Sequence, residues 1–134
     1  MKCFSNLLQR NLAPRWGAGS IDKYATKIFH VNNTYIDNTA KIGGGLAFAA
    51  STIAHISNCL FQENNGEYGE AGIYIRSVDH ICASKNTFIR NRANQGGGGY
   101  VNEATHFKIQ TSKFVSNEVH GNGGGTSIYC NQQT

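Results

Sequence analysis

Asp37, Glu63 and Arg90 are the residues whose types and spacing come nearest to catalytic chemistry. Each follows an aromatic residue by two places and directly precedes an asparagine. Stacked in successive turns of a solenoid, Asp37 and Glu63 would bring two carboxyls about 5 Å apart, near the separation used by retaining glycoside hydrolases. That chemistry needs one carboxyl kept protonated, which takes desolvation or crowding by like charge. A solvated turn supplies no desolvation. The favoured expectation is therefore a row of turn residues, with Glu63 paired to Arg90.

Histidine is the second candidate. His30, His55, His80 and His106 recur at spacings of 25, 25 and 26, each inside a short apolar run. Zinc needs three or four ligands converging on one point, whereas a straight row offers neighbours along a line. The expectation is an outward histidine row that responds to pH by mutual repulsion, with no metal and no cofactor. Cys3, Cys59, Cys82 and Cys130 show neither CxxC nor zinc spacing. Cys59 lies two residues before its nearest repeat aromatic and Cys82 six, an offset of about 13 Å along an extended strand. That is outside disulfide reach, so free thiols are expected. The glycine runs lack the Lys-Ser/Thr ending of a phosphate loop. The remaining acids, among them Asp22, Glu67, Glu70, Asp79, Glu103 and Glu118, are spread out, with no Asp-Asp pair and no Gly-His-Gly.

The elements that must position these side chains come from a repeat. Tyr35-Ile36-Asp37-Asn38, Phe61-Gln62-Glu63-Asn64, Phe88-Ile89-Arg90-Asn91 and Phe114-Val115-Ser116-Asn117 are spaced by 26, 27 and 26 residues. A glycine turn follows each: Gly43 to Gly45, Gly69 to Gly72, Gly96 to Gly99 and Gly123 to Gly125. Three short β-rich runs per repeat, broken by Gly and Asn turns, fit one coil of a β-helix. The fold class expected is all-β: a right-handed parallel β-helix of about four coils over 17–134. One coil cannot bury its apolar face alone, and stacking pairs each strand with its copies above and below. Tyr35, Phe61, Phe88 and Phe114 should then form an interior aromatic column. Asn38, Asn64, Asn91 and Asn117 should form an amide ladder. The same register sets Lys41 beside Glu67 and Arg92 beside Glu118.

Residues 1–16 read as a lead of another kind. Phe4, Leu7, Leu8 and Leu12 share a helical face, Ser5 could cap it, and Pro14 would end it, so a short helix covering the stack is expected. Net charge is +4, with five basic residues and one acid among residues 1–30 and a balanced remainder. A neutral repeat body argues against nucleic acid as a partner. No apolar run reaches membrane-spanning length, and the start does not read as an export signal. The tail stops within a coil, which suggests a piece of a longer stack.

The paired aromatic-x-x-Asn and Gly-Gly-Gly signals, Phe61 to Asn64 with Gly69 to Ile73 and Phe88 to Asn91 with Gly96 to Tyr100, resemble the repeats of polymorphic outer-membrane proteins over roughly residues 17–130. The Glu70-Ala71 turn departs from the triple-glycine pattern. The resemblance implies the pectin-lyase-like β-helix superfamily, display at the cell surface or secretion, and an adhesive scaffold. A surface glycan or protein and neighbouring coils of a longer chain are the partners it implies. The competing expectation is a remnant of a polysaccharide lyase or glycoside hydrolase.

Overall fold

A computed structural model describes residues 2–69, 71–121 and the backbone of 128–131. Glu70, Gly123 to Gly125 and the side chain of Cys130 lie outside the described residues.

The lead folds as strands. Strands β1 (Lys2–Phe4), β2 (Leu7–Gln9) and β3 (Leu12–Trp16) form a partial coil at one end of the stack. The next coil holds β4 (Ser20–Lys23), β5 (Lys27–Val31), β6 (Thr34–Ile36) and β7 (Thr39–Ile42). Then come β8 (Leu46–Ser57), β9 (Leu60–Gln62) and β10 (Asn65–Gly66), followed by β11 (Ile73–Ser84), β12 (Thr87–Ile89) and β13 (Arg92–Ala93). Strands β14 (Gly99–Gln110), β15 (Lys113–Val115) and β16 (Glu118–Val119) make the last full coil, and β17 (Ile128–Asn131) pairs beyond it. The protein is a parallel β-helix of about four coils in three sheets. The long sheet runs β1-β5-β8-β11-β14-β17, with β4 also on β8, and the two shorter sheets run β2-β6-β9-β12-β15 and β3-β7-β10-β13-β16.

The capping helix expected for residues 1–16 is therefore absent. Leu8 pairs in register with Tyr35, and Asn11 donates to Asn38 exactly as the later ladder residues do to theirs. The spacing of Leu7, Leu8 and Leu12 suits a helical face, but pairing with an existing coil outweighs that weak local preference. No helix occurs among the described residues.

The interior matches the repeat. Tyr35, Phe61, Phe88 and Phe114 stack in one column, with neighbouring ring centroids 4.8 Å apart and planes within 6°. The first three rings are fully buried. The Asn ladder runs through five residues. Each Nδ2 of Asn11, Asn38, Asn64 and Asn91 donates to the Oδ1 of the next Asn at 2.9–3.0 Å. The same Oδ1 atoms accept the backbone N–H groups at 3.0–3.1 Å. Asn64 and Asn91 also donate back to the carbonyls of Tyr35 and Phe61, so these buried amides have all their hydrogen-bonding groups engaged.

Corners are built from left-handed backbone. Asp37, Glu63, Arg90 and Ser116 all have φ of 50–56°, and Ala50, Ser77 and Glu103 bend the long strands with φ of 51–59°. Such residues persist only where their surroundings over-determine them, and here the same left-handed corner recurs in register from coil to coil. At Gly72 the limit is contact: a Cβ there would collide with the Gly98 carbonyl oxygen of the next coil.

Candidate functional site

The predicted carboxylate pair occupies an exposed corner. Asp37, Glu63 and Arg90 follow one another in successive coils, as the repeat requires. Each acid turns to an arginine: Arg10 Nε lies 3.6 Å from Asp37 Oδ2, and Arg90 donates to Glu63 Oε1 from Nη2 at 2.5 Å and from Nε at 3.0 Å. The Arg90 hydrogen bonds hold the Glu63 carboxyl below its usual range, with Gln62 adding to the effect. A general acid needs the opposite shift. Beside this row lies an open groove of about 400 Å³, lined by Glu63, Arg90, Arg92, Ser116 and Glu118. Arg92 pairs with Glu118 at 3.2 Å, as the repeat predicts, while Lys41 rests its ammonium 5.5 Å from the Tyr68 ring centre instead of on Glu67.

The four histidines do not form one row. Pairing sets His30 against Ile56, His55 against Cys82, and His80 against His106. A sequence spacing of 25 is one or two residues short of the pairing registers, and a shift of one residue moves a side chain to the other face of a strand. His30 points inward and is fully buried, while His55, His80 and His106 are exposed on the outer face of the long sheet. His80 and His106 stack with ring centres 4.5 Å apart and planes 9° apart. Phe29 and His55 stack at 5.1 Å, with Lys2 over Phe29 at 6.0 Å. A groove of about 590 Å³ opens on this face along His55, His80, Cys82, Thr105, His106 and Lys108.

His30 belongs to a buried network that residue spacing did not reveal. Its Nε2 lies 2.5 Å from Asp22 Oδ2 and its Nδ1 lies 2.5 Å from the Tyr35 hydroxyl. All three residues are at most 2% exposed. Burial raises the Tyr35 pKa strongly, with nearby Cys59, Cys3 and Asp22 adding to the shift, so the hydroxyl keeps its proton. Tyr35 can then donate to Nδ1, which leaves Nε2 as the protonated nitrogen donating to Asp22. Asp22 Oδ1 has no partner among the described residues. Cys59 lies close by, its thiol donating to the His30 carbonyl at 3.5 Å and the Ser57 carbonyl at 3.3 Å, and burial pushes its pKa up to about 11. Burial also raises Cys3, with the Asp22 charge adding to the effect. Cys3, Cys59 and Cys82 are free thiols, as expected.

A second polar column was also missed. Asn6 donates to Asn33, and Asn86 accepts from the Cys59 backbone and donates to the Ile56 carbonyl. The available signal was an asparagine five places before the ladder residue, in Asn6/Asn11, Asn33/Asn38 and Asn86/Asn91. Among the described residues no cluster of three or more His, Cys, Asp or Glu side chains could hold a metal ion.

Compared with protein-family models, curated proteins and solved structures, the chain gives no match.

Proposed function

We propose that the chain serves as a non-catalytic β-helical scaffold of the adhesin type, displayed at a cell surface or secreted, whose lateral sheet faces meet a surface glycan or protein. The observation that carries this reading is the pairing of both candidate catalytic acids. Asp37 and Glu63 sit on an exposed corner, each beside an arginine, and Glu63 is held in its charged form. Exposed polar side chains stack instead along the outer face of the long sheet, as His80 and His106 do. The parallel β-helix and its aromatic-x-x-Asn repeat agree with the likeness to polymorphic outer-membrane and pectin-lyase-like repeats, from which the surface role is taken.

The test is to incubate the purified protein with de-esterified pectin, alginate and neutral glucans, with and without calcium. Unsaturated products are followed by absorbance and reducing ends by colour. No turnover is expected. Turnover that vanishes in Asp37→Asn or Glu63→Gln would replace the scaffold with a lyase or hydrolase.

A further inference from the structure

The outer face of the long sheet gathers cationic and ionisable groups from distant parts of the chain. Lys2 and Lys27 come from the basic stretch of residues 1–30, and register carries their rows onto the histidines. One row reads Lys2, Phe29, His55, Cys82, Lys108 across the coils, and its neighbour reads Lys27, Ile53, His80, His106. The charge that looks confined to residues 1–30 in sequence therefore shares a face with the repeat body.

Two features narrow the ligand. The rings of the His80–His106 pair face each other, and so do those of Phe29 and His55. Each stacked ring gives one face to its neighbour, and the exposed imidazoles keep ring nitrogens that can donate hydrogen bonds. The groove therefore offers hydrogen-bond donors and positive charge, which suit carboxylates. Along the coil axis the Lys2-to-Lys108 row is interrupted by Phe29 and Cys82. Along a strand, His106 and Lys108 stand two residues apart on one face, the period at which an extended peptide presents alternate side chains.

Resting on the scaffold reading above, we infer that the groove over His55, His80, His106 and Lys108 binds an extended acidic peptide segment lying along β14, and grips it more tightly as pH falls. Imidazole gains its charge between pH 5 and 8, where aspartate side chains stay ionised. Stacked imidazolium rings repel one another, and a carboxylate at their edges offsets that repulsion. The other charged groups near the site divide by sign. Asp79, exposed beside His80 on β11, opposes an acidic ligand. Glu103 on β14 is bonded to the Ser77 hydroxyl. Lys27 on β5 continues the His80 row.

The probe is a fluorescently labelled poly-aspartate peptide, with binding read by anisotropy on the whole chain at about pH 5.5 and pH 7.5. Affinity should rise roughly tenfold at the lower pH. The double variant His80→Asn, His106→Asn should lose that gain. Lys108→Gln should weaken binding at both pH values and Asp79→Asn should strengthen it, and these two exposed changes keep the test decisive if the double variant folds poorly. No binding, or a pH gain or affinity untouched by these variants, overturns the inference. Tighter binding of oligogalacturonate or oligothymidylate to the same residues does so too. If peptide binding fails and glycans stay intact, the acidic-peptide site falls and the scaffold reading stands. Cleaved glycans would instead remove the scaffold reading.

Discussion

Equivalent interior positions are filled in opposite ways in neighbouring coils. In the coil of β8 to β10, Phe48, Ile56 and Phe61 point inward and are fully buried. One coil earlier the residues paired with them are Asp22, His30 and Tyr35. Backbone, register and corners are shared, yet one layer of the core is apolar and the other holds a polar triad. The solenoid backbone thus leaves interior chemistry free to vary layer by layer, provided the groups satisfy each other. The triad meets that condition for every described side-chain polar atom except Asp22 Oδ1. Replacing such a network with well-packed apolar groups is often neutral or stabilising, whereas breaking it is costly.

The largest expected effect comes from removing the centre of the triad. His30→Ala leaves the Asp22 carboxylate buried without its partner and should lower unfolding free energy by about 3–5 kcal/mol. Chemical denaturation measures it, and a loss below about 1 kcal/mol would show that the two layers are energetically alike. Its companion, the triple variant Asp22→Leu, His30→Ile, Tyr35→Phe, copies the apolar layer and should match or exceed the parent's stability.

The Asn ladder crosses both layers, so it tests what they share. Asn91→Ala removes the acceptor of Asn64 and the donor to Asn117. A cost of about 1–3 kcal/mol is expected from the stranded partners. An unfolding free energy equal to the parent's would remove the ladder from the shared framework.

The smallest effect is one of pH and arises where the two layers meet, at Cys59, which sits between β8 and β9 with its thiol against the His30 carbonyl of the polar layer. The Cys59 pKa is raised from 9.0 to about 11, so the native protein holds this proton after the unfolded chain has released its own. Stability from this thiol is complete below pH 9.0 and is lost as pH rises toward about 11. Denaturation midpoints across that window should fall, and fall less in Cys59→Ala. An equal slope in the variant would assign the alkaline loss to other groups.

The repeat disclosed the aromatic column, the ladder and the Glu63–Arg90 pair because each depends on spacing alone. The lead coil escaped because Leu8 stands where later coils carry an aromatic ring, so its asparagines lost their marker. The histidines misled through arithmetic: a separation of 25 lies so near the repeat that it passes for it, but pairing puts His30 inside and the other three outside. The triad was illegible for a different reason. Asp22 and His30 are eight residues apart on strands separated by a bend, and their contact follows from the angle of that bend, which no spacing rule records.

The inter-coil hydrogen bonds link each strand to its copies in the next coil, so every coil is fastened mainly to the two that flank it. Under tension applied between its ends, such a molecule behaves as a spool. Every interface carries the load in series, and an end winding, held by one neighbour instead of two, peels first. Each winding pays out 26 or 27 residues, the offset between paired strands, or roughly 90 Å of extended chain. Force is thus dissipated in steps of nearly equal length, while the windings still wound keep their faces intact.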